Sequence, residues 1–366
     1  MSLVLSDIQN KVGIITLNAE RSLNSLSLPI VESLLALLES WKNNPDVACI
    51  FLQGSGEKAF CAGGDIRDMY QAMTAHKSTN EEGIPPKCLD FFIKEYQLDY
   101  NIHTYPKPII TWGHGIVMGG GLGLFAGSSH RIVTAQSVLA MPEITIGLYP
   151  DVGASYFLNQ LPSAFNYYLG LTATRLSAAD AIYLKLANYY LDSQAKEEVL
   201  AALQQIDWQE DIQKQIDQCL LAFVQPLDLD TSEAKKHLSF IQLFEKVDTI
   251  EAFRELLLHY PEKDAWIEAG IAIFSSGSPS AMHGIYRQLK ETKGQSLADA
   301  FRAELNLSCQ CSMHPDFAEG VRALLIDKDR NPNWQPATFE EVTKTWVDSY
   351  FVPLWNKEEQ PLKHLA

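Results

Sequence analysis

The chain has 366 residues, 46% of them hydrophobic and 20% charged, which is enough for a sizeable core in one large domain or in a domain with a substantial second lobe. Its 45 acidic side chains outnumber 29 basic ones. The resulting formal charge of -16 argues against extended nucleic-acid binding and against adhesion to anionic lipid.

Val4 to Gln9 and Val12 to Leu17 have strand character around an Asn10-Lys11 turn. Pro29 then opens a helix whose Leu34, Leu35, Leu38 and Trp41 share one face. Val47 to Leu52 reads as a buried strand ending at Gly54-Ser55-Gly56, and Pro108 to Trp112, His130 to Ala135 and Val138 to Met141 as further short strands. A polar stretch carries a loop over Ser78 to Pro86 and a helix from about Cys88 to His103, with Glu95 inside it. Strands and helices alternate through roughly the first 190 residues. Beyond Ser193 strand signals nearly vanish, and Ala195 to Gln205, Ala252 to His259 and Leu297 to Cys311 carry helical periodicity. Pro332 to Pro336 reads as an ordered turn before a last helix.

Six cysteines, Cys49, Cys61, Cys88, Cys219, Cys309 and Cys311, form no CxxC pair and no metal-site spacing with histidine, so they read as reduced thiols of an intracellular protein. The N-terminus lacks a basic stretch followed by an apolar core, and no apolar run is long enough to cross a bilayer. The expectation is a cytoplasmic protein without a membrane partner.

Two glycine-rich segments draw the chemistry. Phe60-Cys61-Ala62-Gly63-Gly64-Asp65-Ile66 follows a strand and leads into helical sequence, and Met118-Gly119-Gly120-Gly121-Leu122-Gly123 is a second such turn. Either alone is ordinary turn chemistry. Together they suggest a two-amide oxyanion hole, in which backbone N–H groups receive the charge that develops on a thioester oxygen. Downstream, Glu143 and Asp151 stand eight residues apart, and paired carboxylates in separate environments divide acid, base and nucleophile roles. Taken by itself, Glu143 after Pro142 is equally a solvated loop carboxylate. Asp151 after Pro150 is equally a cap for a helix over Val152 to Asn159. His114 has no Ser or Cys partner and reads as a packed histidine; Cys61 reads as a buried structural thiol, and Arg67 as a salt-bridge partner of Asp65 or of a carboxylate near the site.

FCAGGDI, GIVMGGGLGL and AMPEITIGLYPDVGASYFL resemble the enoyl-CoA hydratase/isomerase (crotonase) superfamily, and specifically its 3-hydroxyisobutyryl-CoA hydrolase branch. SPSA and DFAEGVRALLIDKDRNPNW resemble that branch too, so the likeness covers nearly the whole chain and is weakest between about Ser193 and Lys263. It implies an α/β protein: a crotonase-like spiral of ββα turns with the CoA-ester site over residues 1-190, followed by a mainly helical C-terminal lobe over 191-366. It also implies that the Gly64 and Gly120 amides hold the thioester oxygen, and that the backbone near Ala62 meets the CoA adenine.

The hydratases of the superfamily usually place one catalytic Glu three residues after the central oxyanion glycine and a second at the position of Glu143. Here the first position is Gly123, which disfavours addition of water across a double bond. Asp151 stands where hydratases commonly have glycine, and Glu95, 25 residues before Gly120, matches a third carboxylate of the hydrolase branch that binds the 3-hydroxyl of the acyl group. The resemblance thus implies hydrolysis of 3-hydroxyisobutyryl-CoA or a close 3-hydroxyacyl-CoA by Glu143 and Asp151, as in valine breakdown. CoA enters as part of the substrate, with no metal or other cofactor. A hydratase or isomerase, or a CoA-ester binding protein without turnover, are the alternatives. The resemblance leaves room for a homo-oligomer, because superfamily members often assemble as trimers.

Overall fold

The computed structural model describes residues 2-79, 82-208 and 211-366. The loop expected over Ser78 to Pro86 includes residues 80 and 81, which lie outside the described residues. The chain divides into two compact units, each assembled from three separate stretches. The first comprises Met1–Gly64, Leu98–Ala140 and Arg175–Lys236; the second comprises Asp65–Gln97, Met141–Thr174 and His237–Ala366.

Both sheets belong to the first unit. β1 (Val4–Gln9) and β2 (Val12–Leu17) form the expected antiparallel hairpin, turning through Asn10 and Lys11, both at positive φ. β3 (Cys49–Gly54), β5 (Ile109–Gly113), β7 (His130–Val133) and β9 (Tyr189–Tyr190) extend it as parallel neighbours in the order β1-β2-β3-β5-β7-β9. β4 (Ala59–Cys61), β6 (Ile116–Met118) and β8 (Val138–Ala140) form a second, parallel sheet. Each successive strand pair, β3/β4, β5/β6 and β7/β8, therefore gives its first member to the large sheet and its second to the small one. This repeat is the expected spiral, and it delivers the ends of β4 and β6, with their glycine turns, to adjacent places.

The helices Lys196–Leu203 and Ile212–Leu221 also belong to this first unit. Their Val199, Leu203, Ile216 and Leu220 pack with Phe51, Ile110, Trp112 and Ile132 of the large sheet into one buried cluster. Fully burying each such aliphatic side chain contributes about 1.5–3 kcal/mol, so a bare sheet face there is not an economical alternative. The helical character expected after residue 190 is present, with β9 the last strand among the described residues. The compact units, however, interleave along the chain.

The second unit is helical. It contains Ile66–Ser78, most of Pro86–His103, Phe165–Thr172 and the helices from Leu238 to Tyr350. Part of its core is aromatic: Tyr168 stacks on Trp266 with ring centroids 4.8 Å apart and meets Phe240 edge-on at 5.7 Å. No helix among the described residues is long and apolar enough to cross a membrane.

Candidate active site

In the first unit the two glycine turns are neighbours. Gly63 has φ +106, a conformation open to glycine, and a Cβ there would lie 3.2 Å from the Met118 carbonyl oxygen and 3.5 Å from the Gly120 amide nitrogen. A Cβ on Gly121 would fall 2.3 Å from the Cys61 carbonyl oxygen, so the second turn can approach the first only without a side chain at that position. Gly119 precedes the helix Gly120–Gly127, whose N-terminal amides have no intrahelical acceptor. Neither the Gly64 nor the Gly120 amide donates to a backbone carbonyl among the described residues.

The first turn is anchored by a loop that the sequence reading passed over. Leu26 N donates to Gly63 O at 2.8 Å, and Ala62 N to Leu23 O at 3.1 Å. Between them lies Asn24, fully buried and at positive φ, a conformation asparagine tolerates better than most residues. Its Nδ2 donates to the carbonyls of Ser55 and Ala59, and its Oδ1 accepts from Ala19 N and Ser55 Oγ, so every polar valence of the amide is used.

The three expected carboxylates all fall in the second unit. Glu95 projects from the Pro86–His103 helix, Glu143 opens the short 3₁₀ turn Glu143–Ile146, and Asp151 follows Pro150. All are buried, with 3–5% of their surface exposed. Burial pushes the Glu95 carboxyl well above the usual carboxylate range, and the charges of Asp151 and Glu143 push it further. Burial and then Asp151 do the same to Glu143, while Asp151 itself is raised to about 6 by burial, against the hydrogen bond it receives. Glu95 Oε1 and Glu143 Oε2 have no hydrogen-bond partner among the described residues. Buried carboxylate oxygens without partners are costly, and such groups with perturbed titration cluster where a ligand completes them.

The turn bearing Glu143 is held by the later motifs. Ser278 N donates to Ile144 O at 3.1 Å, and a Cβ on Gly277 would lie 2.7 Å from Ile144 Cγ1. A Cβ on Gly320 would lie 2.4 Å from Ile146 Cα, and one on Gly147 would fall 2.5 Å from the Asp316 main chain. Asp316 in turn accepts from Ser278 Oγ at 2.5 Å and from Gln335 N at 2.8 Å. SPSA and DFAEG thus seat the backbone on which Glu143 rides.

Asp151 does not cap a helix with its side chain. The helix that follows, Ala154–Phe157, has Gly153 at its N-cap, and Asp151 contributes its main-chain oxygen, which accepts from Ala154 N at 2.8 Å. Its carboxylate is turned instead to Tyr96, whose hydroxyl donates to Oδ2 at 2.6 Å. Tyr96 Oη lies 2.5 Å from Ser308 Oγ, which lies 2.8 Å from Tyr149 Oη; Tyr149 donates to the Glu304 main-chain oxygen at 2.6 Å. The Glu304 carboxylate accepts from the amides of Gly153 and Ser155 and from the Ser155 hydroxyl. Tyr149 lies within AMPEITIGLYPDVGASYFL, whereas Tyr96, Ser308 and Glu304 belong to no motif; the last two ride on the Leu297–Met313 helix, of which the sequence shows only the helical periodicity.

His114 and Cys61 are packed, as expected. His114 is buried, with Nε2 2.9 Å from the Gly56 carbonyl oxygen, and burial lowers its pKa, as befits a packed imidazole. Cys61 is buried with Sγ 3.9 Å from Gly63 O. Arg67 is exposed in the first turn of the Ile66–Ser78 helix. Gly123 is buried in its helix, its amide donating to Gly119 O at 3.1 Å.

The enoyl-CoA hydratase/isomerase family model matches residues 12–351. The chain is 34% identical to the mitochondrial 3-hydroxyisobutyryl-CoA hydrolase of Gallus gallus, over 97% of this chain and 90% of that one. It is 36% identical to the probable 3-hydroxyisobutyryl-CoA hydrolase 2 of Arabidopsis thaliana, over 98% and 93%. Among solved structures, it is similar to a carnitinyl-CoA dehydratase from Mycobacterium thermoresistibile, with TM-score 0.86 and 32% identity over 97% of both chains. An enoyl-CoA hydratase from Rhodobacter sphaeroides superposes with TM-score 0.85 at 28% identity, over 96% and 98%. The chain belongs to the enoyl-CoA hydratase/isomerase family, in its 3-hydroxyisobutyryl-CoA hydrolase branch.

Proposed function

We propose that the protein hydrolyses the thioester of 3-hydroxyisobutyryl-CoA, or of a close 3-hydroxyacyl-CoA, to the free acid and CoA. In this reading the Gly64 and Gly120 amides hold the thioester oxygen, each donor contributing about 2.7–4 kcal/mol to the transition state by analogy with measured oxyanion holes. Glu143 either attacks the carbonyl carbon to give a mixed anhydride that water resolves, releasing the CoA thiolate, or removes a proton from the attacking water. Asp151 orients the water or assists departure of the thiolate. Glu95 binds the 3-hydroxyl, and the backbone near Ala62 meets the adenine. CoA belongs to the substrate, and the reading calls on no other cofactor.

The observation that carries this reading is Glu143: it is 5% exposed, has an oxygen without a hydrogen-bond partner among the described residues, and stands at the head of a turn seated by Ser278, Gly277 and Gly320. Gly123 supports hydrolysis over hydration, as do the names of the full-length relatives. A hydratase reading draws on the names of the two similar solved structures. Incubation with 3-hydroxyisobutyryl-CoA, 3-hydroxypropionyl-CoA and crotonyl-CoA separates them: thiol release marks the hydrolase, and loss of enoyl absorbance without thiol marks the hydratase. A place in valine breakdown, a cytoplasmic location and a homo-oligomer belong to the proposal as well. Six cysteines without disulfides support the location, while the names of several vertebrate relatives include the word mitochondrial.

A further inference from the structure

Three hydroxyls, those of Tyr96, Ser308 and Tyr149, stand in line between the Asp151 carboxylate and the Glu304 main-chain carbonyl, and all four intervening contacts are 2.5–2.8 Å. Each hydroxyl has one proton to give. A carbonyl only accepts, so the Tyr149 proton goes to Glu304 O. An ionised carboxylate only accepts, so the Tyr96 proton goes to Asp151 Oδ2. The Ser308 proton remains to be offered to one phenol oxygen or the other. When it goes to Tyr96 it makes that phenol a stronger donor, since hydrogen bonds in a chain polarise one another.

The groups acting on Asp151 from the surrounding elements are Glu95 and Tyr96 on the Pro86–His103 helix, Glu143 on its 3₁₀ turn, Tyr149, and Glu304 and Cys311 on the Leu297–Met313 helix. None of these is a cation. Tyr96 is the side chain that donates to the carboxylate, and it is wholly buried, with its ring packed 5.8 Å from Phe92 and 6.0 Å from Phe301.

We propose that Tyr96 is a positioning residue for Asp151: backed by Ser308, its phenol fixes the direction of the carboxylate and favours its ionised form against the surrounding acidic groups. The inference rests on the hydrolase reading for its kinetic consequence but not for its physical content. Loss of the donor hydroxyl removes stabilisation from the charged carboxylate and leaves the ring packing in place.

The test is Tyr96→Phe, read first by 13C NMR titration of the Asp151 carboxyl, assigned by comparison with Asp151→Asn, and then by the pH profile of thiol release from 3-hydroxyisobutyryl-CoA. The midpoint of Asp151 should rise by about half a unit or more, with kcat about tenfold lower, KM within about twofold and the acid limb of the profile displaced upward. An unmoved midpoint overturns the inference, and so does a loss of kcat matched by the fraction of unfolded protein. A wild-type protein that releases no thiol while Tyr96→Phe still moves the midpoint would refute the hydrolase reading and keep the positioning role. If Tyr96→Phe fails to fold, Ser308→Ala should move the midpoint in the same direction by a smaller amount, and no movement there overturns the inference.

Discussion

Glu304 and Gly153 lie 151 positions apart, yet Glu304 Oε2 accepts the Gly153 amide proton at 2.7 Å. Its other oxygen accepts from the Ser155 amide at 2.9 Å and the Ser155 hydroxyl at 2.5 Å. The turn so held contains Val152 at φ +54 and Gly153 at φ +85. A β-branched residue in the left-handed region costs on the order of 1–3 kcal/mol, and it persists only where surrounding contacts over-determine the backbone. A carboxylate from a distant helix therefore fixes the conformation that follows Asp151.

Glu304→Gln tests that role. The carboxamide offers one accepting oxygen, and its NH₂ must face a backbone amide or the Ser155 hydroxyl. The variant should lose about 1–3 kcal/mol in urea unfolding, the scale of leaving a buried donor without its acceptor. A loss within about 0.5 kcal/mol of zero would show that the turn holds itself.

The same carboxyl sets a pH dependence of stability. Burial raises Glu304 to about 8, above its unfolded value, against the donors at Gly153 and Ser155. Around pH 8 this group binds more protons in the native state than in the unfolded state, so its contribution to stability is lost as pH rises through that value. His103, His114, His130, His283 and His314 have lowered pKa values, through burial first, so at about pH 6.5 the unfolded state binds protons that they lack and the trend is opposed; above about pH 7.5 they are largely neutral in both states. Calorimetric Tm should decline from about pH 7.5 to 8.5, and less steeply in Glu304→Gln, the raised Glu95 and Glu143 carboxyls adding to the decline in the same direction. A Tm that rises across the window in the wild type contradicts this assignment.

Asn24→Ala removes four hydrogen bonds from the loop that seats the first glycine turn and leaves the Ser55 and Ala59 carbonyls without their partner. A loss of about 2–4 kcal/mol is expected, with turnover reduced beyond the loss of folded protein because the Gly63 carbonyl and Ala62 amide are tied to Leu26 and Leu23 beside it. Denaturant unfolding and thiol release measured on the same preparation separate the two effects. Full activity per folded molecule would free the oxyanion turn from any dependence on Asn24.

The hairpin, the large-sheet strands up to β7 and the two glycine turns were legible because each rests on local pattern: alternation over six residues, or glycine where the backbone needs φ > 0. β4, β6 and β9 were not, since two or three residues offer no period to read. The cap reading of Asp151 followed a sound local rule, and a tertiary partner, Tyr96, overrode it. Glu304 and Ser308 stayed hidden for the same reason, their partners lying about 150 residues away. Residue 190 ends the last strand among the described residues. The two helices that follow it nonetheless cover the first unit's sheet, because burial of Phe51, Trp112 and Ile132 decides their place.

The central claim is that Glu143 performs thioester cleavage, and the most direct measurement is thiol release from 3-hydroxyisobutyryl-CoA by wild type and Glu143→Gln side by side, with binding of the CoA ester measured on both. The account predicts steady release by the wild type, near-complete loss of release in the variant, and largely unchanged binding. Wild-type-like release by Glu143→Gln, or loss of crotonyl-CoA absorbance without thiol release by the wild type, would contradict it.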